Sequence, residues 1–214
     1  MGKFTVDSLV KYYDNNIILN DVAFEIKRGE IMSIFGRNGS GKTTLINSVL
    51  GIVNCDYVFR RYDEEIVTTK NINKYFCYSS QKKFLPDYLN IKQLLKIFNI
   101  YNDRIINIDS FIKKSQNLKL KELSYGQQFY VQLFMVIHSN KKICILDEPF
   151  SGLSPKYIDI IIQYIKQNSN KTFIITDHNI EKLFEVSNRK FFLKNGKLIN
   201  VDNYSLENIK QLYY

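Results

Sequence analysis

No apolar run in this 214-residue sequence approaches the roughly 20 residues that a bilayer-crossing helix requires. The opening segment, Met1 to Asp7, carries no signal-peptide core, so the expected location is the cytoplasm. Cysteine is scarce: Cys55, Cys77 and Cys144 are widely spaced and form no Cys-x-x-Cys pair, which argues against a disulfide framework. They read as reduced thiols packed as small apolar groups. His138 and His178 stand too far apart in sequence to suggest a zinc site. Blocks of like charge are missing too. The formal net charge of +9 is spread over scattered lysines, with short clusters only at Lys82-Lys83, Lys113-Lys114 and Lys141-Lys142. A nucleic-acid partner is therefore not expected. The abundance of Lys, Asn, Ile, Tyr and Phe matches A/T-rich codons, a separate source of basicity.

What remains is ordinary globular composition, 45% hydrophobic and 24% charged, in a chain long enough for one domain with a real core. Residues 36–44 read Gly36, Arg37, Asn38, Gly39, Ser40, Gly41, Lys42, Thr43, Thr44, directly after the apolar-leaning run 31–35. This is Gly-x-x-x-x-Gly-Lys-Thr where a strand should turn into a helix, the context of a phosphate-binding loop. The glycines let successive N–H groups face one concavity, and the helix N-terminus adds partial positive charge. Lys42 supplies a point charge for the β- and γ-phosphates, and the Thr43 hydroxyl suits Mg²⁺. The chain is expected to bind ATP with Mg²⁺.

Downstream, the apolar run 143–146 ends in Asp147 and Glu148. At the carboxyl end of a strand beside the phosphate loop, Asp147 would hold Mg²⁺ through its water shell. Glu148 would polarise the water that attacks the γ-phosphate. The pattern also predicts strands at 4–9, 17–19, 22–26, 57–61, 75–78 and 172–176, and helices at about 42–50, 91–134 and 156–167. Gly51 stops the first helix, and Asn195-Gly196 marks a hairpin. Ser124 and Gln127 have capping-box spacing at a helix start.

Taken together the motifs resemble the nucleotide-binding subunit of the ABC transporter ATPases. The phosphate loop, Gln81, Leu123-Ser124-Tyr125-Gly126-Gln127, Asp147-Glu148, Ser151-Gly152-Leu153-Ser154-Pro155 and His178 occur in that family's order along essentially the whole chain. The resemblance implies an α/β phosphate-loop ATPase core with a small antiparallel β subdomain and an inserted α-helical subdomain. One domain would cover 1–214, with the insertion at about 82–136. Tyr13 resembles the aromatic that stacks on adenine, although Tyr12 offers an equal π-face. Gln81 resembles the glutamine contacting Mg²⁺ and the attacking water, and His178 the histidine that touches the γ-phosphate and orients Glu148.

The family also implies dimerisation, with Ser124, Gly126 and Gln127 serving the nucleotide of a second ABC ATPase chain. The chain would sit on the cytoplasmic face of the membrane beside separate permease subunits. Phe84, Leu85, Tyr88 and Leu89 are the expected docking face. A soluble ATPase of iron–sulfur cluster assembly fits the same size, whereas one in nucleic-acid-related work would need a long coiled-coil insertion that the sequence lacks. Three departures stand out: Tyr125 for the usual Gly, Tyr130 for a common Arg, and Ser154 for the usual Asp.

Overall fold

The computed structural model describes residues 2–214, and its architecture follows from two sheets with different burial patterns. The first is antiparallel. Strands β1 (Lys3–Tyr13) and β2 (Asn16–Lys27) pair across a turn at Asp14, whose φ of 52° is left-handed. Strands β4 (Tyr57–Tyr62) and β5 (Glu65–Ile66) extend it to the order β2-β1-β4-β5. Phe4 lies opposite Ile26 and Val6 opposite Phe24, and all four are buried, so one face of the hairpin supplies core.

The second sheet has six strands in the order β10-β9-β3-β8-β7-β6. Strands β3 (Ile31–Phe35), β6 (Phe76–Ser79), β7 (Ile143–Asp147), β8 (Thr172–Thr176) and β9 (Arg189–Lys194) run parallel. Strand β10 (Lys197–Asn200) turns back beside β9 through Asn195 and Gly196, both at positive φ, as a two-residue turn of this composition requires. Every residue of β3, β7 and β8 is buried, because both faces are covered. The two-residue period divides them: Ile143 and Ile145 enter the core shared with the antiparallel sheet, while Cys144 and Leu146 enter the core under the helices.

Helix α1 (Lys42–Val49) starts from Gly41 at φ 100° and gives way to Gly51 at φ 67°. The span 91–134, expected to be helical, is broken into α2 (Ile91–Ile97), α3 (Asp103–Ile108), α4 (Ser110–Lys114) and α5 (Tyr125–His138). Short polar side chains do the cutting. Asn90, Asn102 and Asp109 each accept a backbone N–H at a helix start, and Asn99 adopts φ 56° beyond the end of α2. Apolar periodicity alone does not show these interruptions. Helix α5 is buried throughout Gln128–Ile137 and joins the core under the sheet, so the helical segment is packed onto the sheet. Helices α6 (Pro155–Gln167), α7 (Ile180–Val186) and α8 (Leu206–Gln211) complete that side.

Candidate active site

The carboxyl ends of β3, β7 and β8, and the loop after β6, meet along one edge, where an open parallel sheet presents its crevice. The loop after β3 holds the phosphate motif. Gly36 has no room for a side chain, since a Cβ would lie 2.7 Å from Ser40 Oγ and 2.8 Å from the Leu193 carbonyl. Gly39 and Gly41 adopt φ of 76° and 100°, which disfavour side chains. The Lys42 ammonium is drawn into the loop, donating to the carbonyls of Gly36 at 2.7 Å and Arg37 at 3.0 Å. Burial pushes its pKa down, against the upward pull of Glu148, Asp147 and Asp177. Ser40 Oγ is buried with no hydrogen-bond partner among the described residues.

Asp147 ends β7 and is nearly fully buried. Its Oδ2 accepts from Thr43 Oγ1 at 3.2 Å, and its Oδ1 from Thr176 Oγ1 at 2.5 Å. Burial raises its pKa, and the two hydroxyls counter that. Glu148 takes φ 55°, a left-handed conformation of sparse population for a residue with a side chain. Three groups hold its carboxylate. Oε1 lies 2.6 Å from His178 Nε2, while Oε2 accepts from Gln81 Nε2 at 2.6 Å and from Ser151 Oγ at 3.4 Å. This contact places a hydrogen on His178 Nε2.

The cleft between these elements has a volume of about 370 Å³ and is lined by Tyr13, Asn38, Gly39, Thr43, Glu148 and His178 among others. Of the two aromatics left open by the sequence, Tyr13 lines this cleft and Tyr12 does not. Thr44 is also part of this wall. Ser124, Gly126 and Gln127 are placed elsewhere: none lines the cleft. They form the start of α5, where Ser124 N–H donates to Gln127 Oε1 at 2.9 Å and Gln127 N–H to Ser124 Oγ at 3.4 Å.

Of the expected docking residues, Phe84 and Tyr88 are exposed, but Leu85 and Leu89 pack against the core under the sheet. The four do not form one free face, because their side chains diverge on an irregular segment.

Sequence reasoning missed several participants. Asp177 is buried and receives the N–H groups of Phe150 at 2.8 Å and Asn179 at 2.9 Å, anchoring the segments that carry Glu148 and His178. Its place beside His178 was the available signal. Tyr213 accepts from Gly36 N–H at 3.1 Å, a contact across 177 residues with no local signal. Tyr125 is exposed, its ring capped by the Lys83 ammonium at 4.8 Å and laid against Gly152, where a Cβ would stand 3.7 Å from Cε1.

Residues 19–151 match the family model described as ABC transporter. An uncharacterized ABC transporter ATP-binding protein of Methanocaldococcus jannaschii is 30% identical over 210 residues, covering 92% of this chain and 76% of that protein. The lipopolysaccharide export system ATP-binding protein LptB of Escherichia coli strain K12 is 29% identical, covering 93% of this chain and 90% of LptB. Among solved structures, an ATP binding subunit of an ABC transporter superposes with a TM-score of 0.85 at 18% identity, covering 98% of each chain. That likeness establishes the α/β phosphate-loop fold.

Proposed function

The chain belongs to the ABC transporter ATP-binding family, and on that premise we propose that it hydrolyses ATP for a membrane transporter as one of a pair of cassettes. The observation that carries this reading is the Glu148 carboxylate, held by Gln81 and His178 at the wall of the phosphate-loop cleft.

The residues fit ATP with Mg²⁺. Buried Ser40 Oγ has no partner among the described residues and suits a phosphate oxygen. The ammonium of Lys42 has three donors, and the carbonyls of Gly36 and Arg37 take two, leaving one for the β- and γ-phosphates. Thr43 and Asp147 would hold Mg²⁺ with oxygen atoms. Gln81 donates through its amide nitrogen, so its carbonyl oxygen stays available to the cation. Among the described residues no group of three His, Cys, Asp or Glu side chains is arranged to hold a metal ion, so the remaining ligands would be phosphate and water. When bound, Mg²⁺ would neutralise phosphate charge.

A carboxylate offers about four acceptor positions, and three neighbours occupy Glu148. One remains to take a proton from the attacking water. Gln81 and His178 orient the group, Lys42 and the loop N–H groups meet the charge developing on the γ-phosphoryl oxygens, and Tyr13 stacks on adenine. The Ser124–Gln127 helix start, outside its own cleft, presents N–H groups to the nucleotide of a second chain. Closure on ATP and reopening after hydrolysis would move separate membrane-spanning partners. No helix among the described residues is long and apolar enough to cross a membrane.

The test is purification with partners. The chain should copurify with a multi-span membrane subunit and hydrolyse ATP, and Lys42→Ala should abolish the turnover. Recovery with an iron–sulfur assembly complex and no membrane subunit would overturn the transport reading.

A further inference from the structure

A second cavity lies at the opposite edge of the parallel sheet, where β7 and β8 begin. It has a volume of about 450 Å³, and its lining includes Arg28, Lys141, Lys142 and Lys171 against a single carboxylate, Asp63. Ser139, Asn140, Asn168 and Asn170 add neutral polar groups. Each cation arrives from a different place: Arg28 from the turn after β2, Lys141 and Lys142 from the approach to β7, and Lys171 from the approach to β8.

Among the described residues none of the four cations forms an ion pair. Lys171 is more than nine-tenths buried and donates to the carbonyls of Ile137, at 2.6 Å, and Ser139, leaving its third N–H without an acceptor among the described residues. Burial pushes its pKa down, a penalty that a nearby anion would relieve. The Arg28 side chain donates only its Nε–H, to the Asn170 carbonyl at 2.9 Å, so its terminal N–H groups remain free among the described residues. Lys142 stands over the Tyr62 ring at 4.6 Å, which steers its charge without neutralising it. Lys141 donates to the Asn73 carbonyl at 2.5 Å. Four cations facing one carboxylate leave excess positive charge, which repels itself, and a multiply charged anion reverses the sign of that interaction.

We propose that this cavity is a binding site for a small phosphate-bearing anion, distinct from the nucleotide cleft at the other edge of the sheet. A phosphate group presents the oxygens that a guanidinium and convergent ammonium groups match. The walls are polar apart from Ile105 and the Tyr62 and His138 rings, so the charged group would supply most of the recognition.

The probe is inorganic pyrophosphate, titrated into the full isotope-labelled chain while backbone amide resonances are followed. Amides of 140–142 and 168–171 should shift along a saturable curve, whether or not those of 38–43 shift as well. Arg28→Gln and Lys142→Gln change exposed side chains, and each should weaken that curve by about tenfold, as expected for one charge-assisted contact. Lys92→Gln, on α2 and outside the cavity lining, should leave it unchanged. Unmoved amides at 140–142 and 168–171 would overturn the site, as would equal weakening by Lys92→Gln. Shifts at 38–43 report the phosphate loop separately, so the two sites can fail independently.

Discussion

Tyr130 donates its hydroxyl to Oδ2 of the buried Asp109, and Tyr164 donates to the same oxygen at 2.9 Å. Asp109 also accepts the Ile112 N–H at 2.8 Å, so one carboxylate joins α4, α5 and α6. Tyr130 further stacks on Tyr157 with centroids 4.4 Å apart. Tyr130 therefore points inward, and both tyrosine pKa values are pushed up by burial and by Asp109. Tyr130→Phe keeps the ring and removes the donor, and should destabilise the chain by about 1–3 kcal/mol, measured by urea unfolding. An unchanged midpoint would show that Tyr164 alone satisfies Asp109.

Glu148→Gln should lower steady-state ATP turnover by at least about a hundredfold while nucleotide affinity is retained. It removes the proton acceptor and spares the phosphate loop. Turnover within about threefold of the unmodified chain would rule out Glu148 as general base.

The placement of Ser124 and Gly126 outside the cleft of their own chain leads to a mixing experiment. Lys42→Ala and Ser124→Arg chains should each be inactive. Mixed, they should regain activity, because the intact loop of one meets the intact signature of the other at one site per mixed pair. Activity that never exceeds the sum of the two separate variants would defeat the shared site.

Tyr88 is 70% exposed, so a charge there should cost the fold little. Tyr88→Asp should leave basal ATPase and the thermal transition nearly unchanged and abolish copurification with a membrane subunit. Leu89→Asp, on the core-facing side, should instead lower the transition, since it buries an unpaired charge. Retained copurification in Tyr88→Asp would move the docking face elsewhere.

His138 gives the fold an acid limit. Its ring packs against Phe134 and Tyr164, and its pKa is lowered to about 4, first by burial and then by Lys171, with Asp109 opposing. An unfolded chain binds this proton near the ordinary value of about 6.5. The contribution to stability is therefore complete above pH ~6.5 and is lost as the pH falls towards about 4. It amounts to about 3 kcal/mol. Urea midpoints between pH 7 and 4.5 should fall less steeply in His138→Phe than in the unmodified chain. Identical slopes would place the acid sensitivity in other groups.

The sequence by itself determined what depends on neighbours along the chain. Gly36–Thr44 between an apolar run and a helix-forming segment, the Ser124–Gln127 capping box and the Asn195-Gly196 turn are local conformational solutions. Their residues lie within a few positions of one another. Tertiary structure decided what depends on strand order. Gln81 reaches Glu148 across 67 residues because β6 and β7 are parallel neighbours, and His178 reaches it because β8 lies on the other side of β7. The same packing set Tyr13 in the cleft wall and Tyr12 outside it, drew Leu85 and Leu89 towards the core and turned Tyr130 towards Asp109. Periodicity records which residues are apolar, but which surface meets which is settled only when burial and hydrogen-bond satisfaction are solved for the whole chain at once.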